Sequence, residues 1–80
     1  RQKEQTRQSI LNAQEVLRSA GLELSNVAKT TVYLSDMDNF AAMNEVYAQF
    51  FSEPFPARSA VAVKTLPKNA LVEVECIATR

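Results

Sequence analysis

The feature that most constrains this chain is an apolar stripe in its middle. Phe40, Met43, Val46, Tyr47, Phe50 and Phe51 recur at i, i+3, i+6, i+7, i+10 and i+11, the repeat of one face of an α-helix. The chain has four phenylalanines and two tyrosines, and four of those six aromatics lie on this stripe. A chain of 80 residues has few other large side chains with which to build a core, so the core must form beneath this helix, predicted over Asp38–Phe51. Ser35-Asp36-Met37-Asp38 ahead of it supplies cap acceptors and negative charge for the helix start. Pro54 and Pro56 close it and bias Phe55 toward extension.

Strand patterns flank the stripe. Ala28–Leu34 is rich in β-branched residues and tyrosine, with Thr30, Val32 and Leu34 on one face and Lys29, Thr31 and Tyr33 on the other. Ala57–Lys64 reads as a second strand, which makes 28–64 a βαβ crossover with a parallel strand pair. Leu71–Thr79 alternates as a last strand, and the turn-rich 65–70 predicts an antiparallel hairpin between the last two strands. At the front, Ile10, Leu11, Ala13, Val16, Leu17 and Ala20 predict a helix over Lys3–Ala20, with Gly21 at the position after the C-cap and Arg18 in the last turn. Its polar opening, Arg1–Gln8, reads as a solvated first part. The order is α-β-α-β-β in an α+β domain spanning 1–80.

Composition removes several functions. Nine basic residues balance nine acidic ones, so the basic excess usual in nucleic-acid binding is missing. Histidine is absent, which removes the commonest general base and the commonest metal ligand. The single cysteine, Cys76, cannot form an internal disulfide, and without histidine to activate it a small buried hydrophobe is expected there. No apolar run approaches a membrane span and no signal-peptide pattern is present, which points to the cytoplasm or an organelle matrix. The chain opens at Arg1 already inside a helical pattern, so a preceding N-terminal portion is expected.

Arg58 stands out on its strand of small residues, because a guanidinium cannot shed its charge and needs partners for five donors. In a hairpin turning about Pro67 and Lys68, Arg58, Ala60, Ala62 and Lys64 share a face with Leu71, Glu73, Glu75 and Ile77. That face is expected to lie opposite the helices and to pack against other subunits. Its plain alternative is an exposed cross-strand ion pair worth under about 1 kcal/mol. Asn44, in mid-helix where asparagine is a poor helix former, is on pattern alone a solvent-facing polar residue.

Several segments together resemble the RidA family (YjgF/YER057c/UK114). They are Val27-Ala28-Lys29-Thr30-Thr31-Val32, Asn39-Phe40, Asn44-Glu45-Val46-Tyr47, Phe50-Phe51, Phe55-Pro56-Ala57-Arg58-Ser59, Leu66-Pro67-Lys68 and Val72-Glu73-Val74-Glu75-Cys76-Ile77-Ala78. The resemblance runs nearly the whole length. It implies a chorismate-mutase-like fold assembled as a homotrimer with clefts between subunits, and hydrolysis of enamines and imines such as 2-aminoacrylate to 2-keto acids and ammonia, with no metal or organic cofactor. It implies that Arg58 grips the substrate carboxylate, that Glu73 positions or activates water, that Asn44 lies near the site, and that Ala60 offers backbone contacts where cysteine is common. The family's N-terminal β-hairpin, which lines the cleft, has no counterpart in this sequence. A glutamate can take a proton from water without histidine, and a planar fork holds a carboxylate in a fixed orientation. A non-catalytic ligand-binding or regulatory trimer is the alternative. The endoribonuclease or translation-inhibitor role also attached to this family is disfavoured by zero net charge and no basic stripe.

Overall fold

A computed structural model of the protein describes residues 2–80. The elements are α1 (Gln2–Ser19), β1 (Val27–Leu34), α2 (Phe40–Phe50), β2 (Ala57–Ala62) and β3 (Val72–Ala78), with short 3₁₀ turns at Leu24–Asn26, Met37–Asn39 and Pro67–Asn69. The predicted order is therefore observed, as two helices on a mixed three-stranded sheet. Among the described residues, no helix is long and apolar enough to cross a membrane.

The helix ends follow from local chemistry. Asp36 accepts a hydrogen bond from the Asp38 N–H and opens the turn into α2. At the end of α1 the Leu22 N–H reaches the Leu17 carbonyl and the Gly21 N–H reaches that of Arg18, which is the Schellman closure. Gly21 carries it at φ +78, a conformation costly for any residue with a Cβ.

The sheet departs from the expected hairpin. Its order is β2-β1-β3, so the last two strands do not pair with each other. β1 lies between them, parallel to β2 and antiparallel to β3. The segment between β2 and β3 includes the Pro67–Asn69 turn, where Lys68 and Asn69 both adopt positive φ, and it carries the chain past β1 to the far edge. Thr30, Val32 and Leu34 are fully buried beneath the helices, as their alternation predicts. Their neighbours are Arg58, Ala60 and Ala62 on one side and Cys76, Val74 and Val72 on the other. Residues paired across strands project to the same face, so Arg58 belongs to the helix side of the sheet. The expectation that Arg58, Ala60 and Ala62 share a face with Glu73 and Glu75 is overturned: register with β1, not alternation within β2, decides the face.

The core consists of Ile10 from α1, Val27, Val32 and Leu34 from β1, Met43, Tyr47 and Phe51 from α2 and its C-cap, and Val72 and Val74 from β3. The polar opening of α1 is not wholly solvated. Thr6 is completely buried, while Gln5 Oε1 and Ser9 Oγ accept the backbone N–H groups of Leu71 and Val74. α1 thus satisfies the Val74 donor at the outer edge of β3, which otherwise has no strand to bond, and the Leu71 donor just before that strand. Lys3 reaches Glu45 and Arg7 reaches Gln49, tying the exposed flanks of the two helices together.

Candidate functional site

The crossover from β1 through α2 to β2 brings three kinds of group to one cleft. β2 is an edge strand on the side away from β1. The Val63 N–H donates to the Leu34 carbonyl. By the alternation of a parallel ladder, Ala57, Ser59 and Val61 likewise turn their backbone groups toward β1. Arg58, Ala60 and Ala62 then present N–H and C=O groups to the open edge. The guanidinium of Arg58 folds back over α2 from that edge.

α2 receives it with three residues one helical turn apart. The Arg58 Nη1–H donates to Asn44 Oδ1 at 2.5 Å. The Arg58 Cζ lies 4.9 Å from the centroid of the Tyr47 ring and 5.4 Å from that of Phe40. Asn44 stands between these rings at i+4 from Phe40 and i−3 from Tyr47, positions that share one helix face. A guanidinium only donates, so Asn44 must offer its carbonyl oxygen and keeps its own N–H groups as donors. Tyr47 is braced from behind: its hydroxyl shares a buried hydrogen bond of 2.7 Å with Thr30 Oγ1, and its ring stacks on Phe51 at 4.6 Å between centroids.

Asn44, Tyr47, Ala48, Phe55, Pro56 and Arg58 line an open cleft of about 460 Å³. Phe55, 62% exposed, forms its apolar lip. The ion pairs found among the described residues, Lys3–Glu45 and Arg18–Glu23, leave Arg58 out. A cation held by rings and an amide, beside open backbone donors, suits a small anion with an apolar tail.

Of the residues singled out from the sequence, the structure brings Arg58 and Asn44 into contact and places Ala60 beside Arg58 on the same face and edge. Glu73 is elsewhere. It pairs with Tyr33 on β3, exposed on the face away from the helices, with β1 between it and β2. Asn44 is half-buried against Arg58 rather than solvent-facing. Phe40 and Tyr47, read from the sequence as core alone, also form the platform of the site. Their spacing from Asn44 is the signal that could have found them. Cys76 behaves as expected, packed at the margin of the core, where burial, with a smaller contribution from the neighbouring Glu75 carboxylate, raises its thiol pKa above the ordinary value. Among the described residues, no group of three histidine, cysteine, aspartate or glutamate side chains is placed to hold a metal ion.

The family model described as endoribonuclease L-PSP matches residues 1–80. The chain belongs to the RidA/YjgF/L-PSP family. A RutC family protein of Pyrococcus horikoshii is 55% identical over 76 residues, covering 95% of this chain and 60% of that protein. Human 2-iminobutanoate/2-iminopropanoate deaminase is 44% identical over 75 residues, covering 94% of this chain and 55% of the human protein. The crystal structure of Escherichia coli TdcF with bound serine superposes with a TM-score of 0.92 at 42% identity, over 98% of this chain and 64% of TdcF. This RidA-family chain thus spans less than two thirds of the length of the relatives it matches, and its fold is that of the family.

Proposed function

We propose that the protein is an enamine/imine deaminase, hydrolysing reactive 2-aminoacrylate-type intermediates to 2-keto acids and ammonia. The observation that carries this reading is the Arg58 guanidinium, held over Tyr47 and Phe40 and bonded to Asn44 at the mouth of a cleft. Such a fork donates bidentately to an α-carboxylate and fixes the adjacent imine carbon. Relatives named as deaminases of 2-imino acids and a neighbour that holds serine, itself an α-carboxylate compound, support the same ligand class.

In this reading the edge N–H of Ala60 assists the carboxylate. The enamine first tautomerises to its imine. Water then adds to the imine carbon as Glu73 takes one of its protons and passes it to the imine nitrogen, giving the carbinolamine. The carbinolamine collapses as Glu73 moves the hydroxyl proton to the amine nitrogen, the C–N bond breaks, and ammonia leaves the 2-keto acid behind. Positioning supplies much of the rate, since the hydrolysis is intrinsically easy. Arg58 and Glu73 lie on opposite faces of one sheet, so the glutamate serving an Arg58 cleft comes from a second copy. That requirement fits a homotrimer with sites between subunits. The face away from the helices, with Val61 43% exposed beside Tyr33 and Ile77 58% exposed beside Lys29, is the surface for such packing.

The test generates 2-aminoacrylate with a serine dehydratase and follows pyruvate release with and without the protein. Acceleration is expected, abolished by Arg58→Ala. No acceleration by an intact oligomer sinks the deaminase reading and leaves a ligand-binding or regulatory module. Solution mass tests the assembly separately, and a stable monomer refutes the trimer.

A further inference from the structure

Arg58 is a long side chain at an open strand edge, and left to itself its rotamer freedom costs about 2 kcal/mol to freeze. Something must hold it in the cleft, and the nearer of its two rings is Tyr47. That ring is itself tied down. Its hydroxyl bonds Thr30 on β1, and Thr30 is the residue that pairs with Arg58 across the parallel ladder. The three residues close a circuit: strand β1 to helix α2 through two hydroxyls, α2 to β2 through the ring and the guanidinium, and β2 back to β1 through the sheet. Thr30 is fully buried and Tyr47 nearly so. Each hydroxyl is therefore satisfied by the other, and removing one strands its partner.

We propose that Thr30 and Tyr47 are positioning residues for the carboxylate anchor: the buried hydroxyl pair sets the tilt of the Tyr47 ring, and the ring sets where the Arg58 guanidinium stands. The inference rests on the deaminase reading for its ligand but not for its geometry. A purely structural role for the pair predicts a loss of stability alone. A positioning role predicts, in addition, a loss of discrimination between a carboxylate and an uncharged group of the same shape.

The experiment measures binding of pyruvate and of pyruvamide to the wild type, Tyr47→Phe, Thr30→Val and the double variant. It also records melting temperature and the Arg58 Nε–Hε resonance, which reports on a guanidinium whose Cζ stands over both rings. Tyr47→Phe is expected to lower the pyruvate-over-pyruvamide ratio about five- to tenfold, the scale of one hydrogen bond, and to move the Arg58 resonance toward its free position. In turnover the loss falls on KM, with kcat nearly unchanged. The double variant, which leaves no stranded hydroxyl, recovers melting temperature but not the ratio. An unchanged ratio and resonance in Tyr47→Phe, or a ratio that returns with stability in the double variant, overturns the proposal. If the wild type binds neither compound, the deaminase reading fails. The positioning claim is then decided by the Arg58 resonance, which must still shift in Tyr47→Phe.

Discussion

Replacing Arg58 with lysine keeps the charge and removes the plane, so Arg58→Lys isolates what the guanidinium does. The side chain is exposed, and its bond to Asn44 and its place over two rings are screened by water, so the cost in folding stability stays under about 1 kcal/mol. Binding is affected more. An ammonium meets a carboxylate as a point charge and forfeits the second of two parallel hydrogen bonds. The lower end of the range for charged pairs, about 1.5 kcal/mol, suits an open cleft. Weaker stacking of an ammonium on the Tyr47 and Phe40 faces adds about 0.5 kcal/mol. The sum, about 2 kcal/mol, is roughly a thirtyfold loss of affinity. Isothermal titration with pyruvate, paired with a denaturant curve on each variant, reads both quantities. Wild-type pyruvate affinity in Arg58→Lys refutes the bidentate anchor. An equal loss for pyruvate and pyruvamide refutes carboxylate recognition altogether.

Three further outcomes follow from features away from the cleft. Ser9→Ala strands the Val74 N–H at the edge of β3 and costs about 1–2 kcal/mol in denaturant unfolding; a loss below a few tenths shows that water replaces the serine. Gly21→Ala meets no atom within 4 Å, yet its φ of +78 makes the loss about 1 kcal/mol, whereas Gly21→Asn, which tolerates that conformation, recovers part of it in thermal melts. Burial keeps the Cys76 thiol protonated beyond its ordinary value of 9.0, so alkylation of the native protein near pH 8 is slower than that of the unfolded chain. Because the folded value is the raised one, the associated stability is complete below about pH 9 and is lost as pH climbs through the folded value. Cys76→Ala removes that dependence, and an unchanged alkaline slope contradicts it.

Hydrophobic period made the five elements legible. The stripe from Phe40 to Phe51 and the alternation of Thr30, Val32 and Leu34 each report a face that must be dry, and the structure buries them. Strand order was not legible, because alternation sorts side chains within a strand and says nothing about which strand lies next to it. β1 is buried on its helix face and bonded on both edges, while 65–70 looks in sequence like any turn. The inverted placement of Arg58 relative to Glu73 followed from that one error. Thr6, Gln5 and Ser9 were unreadable for a different reason. A side chain that caps a strand edge far along the chain obeys no local period. That Asn44 lies near the site came only from the family resemblance, and its bond to Arg58 was not legible at all, since helix spacing places Asn44 on a face without saying what crosses it.

The cleft and the closure of the fold draw on very different stretches of chain. Asn44 and Arg58 are 14 residues apart, within one strand–helix–strand unit, whereas the bonds from Gln5 to Leu71 and from Ser9 to Val74 span 66 and 65 residues. Folding rates fall as contacts become less local, which predicts that β3 arrives last, beside β1 and under α1. During synthesis, the residues that grip Arg58 have emerged well before β3 has. Substitutions at the exposed Arg58 should then alter ligand response at a nearly constant folding rate, while those at Ser9 or Val74 govern how long the growing chain remains open.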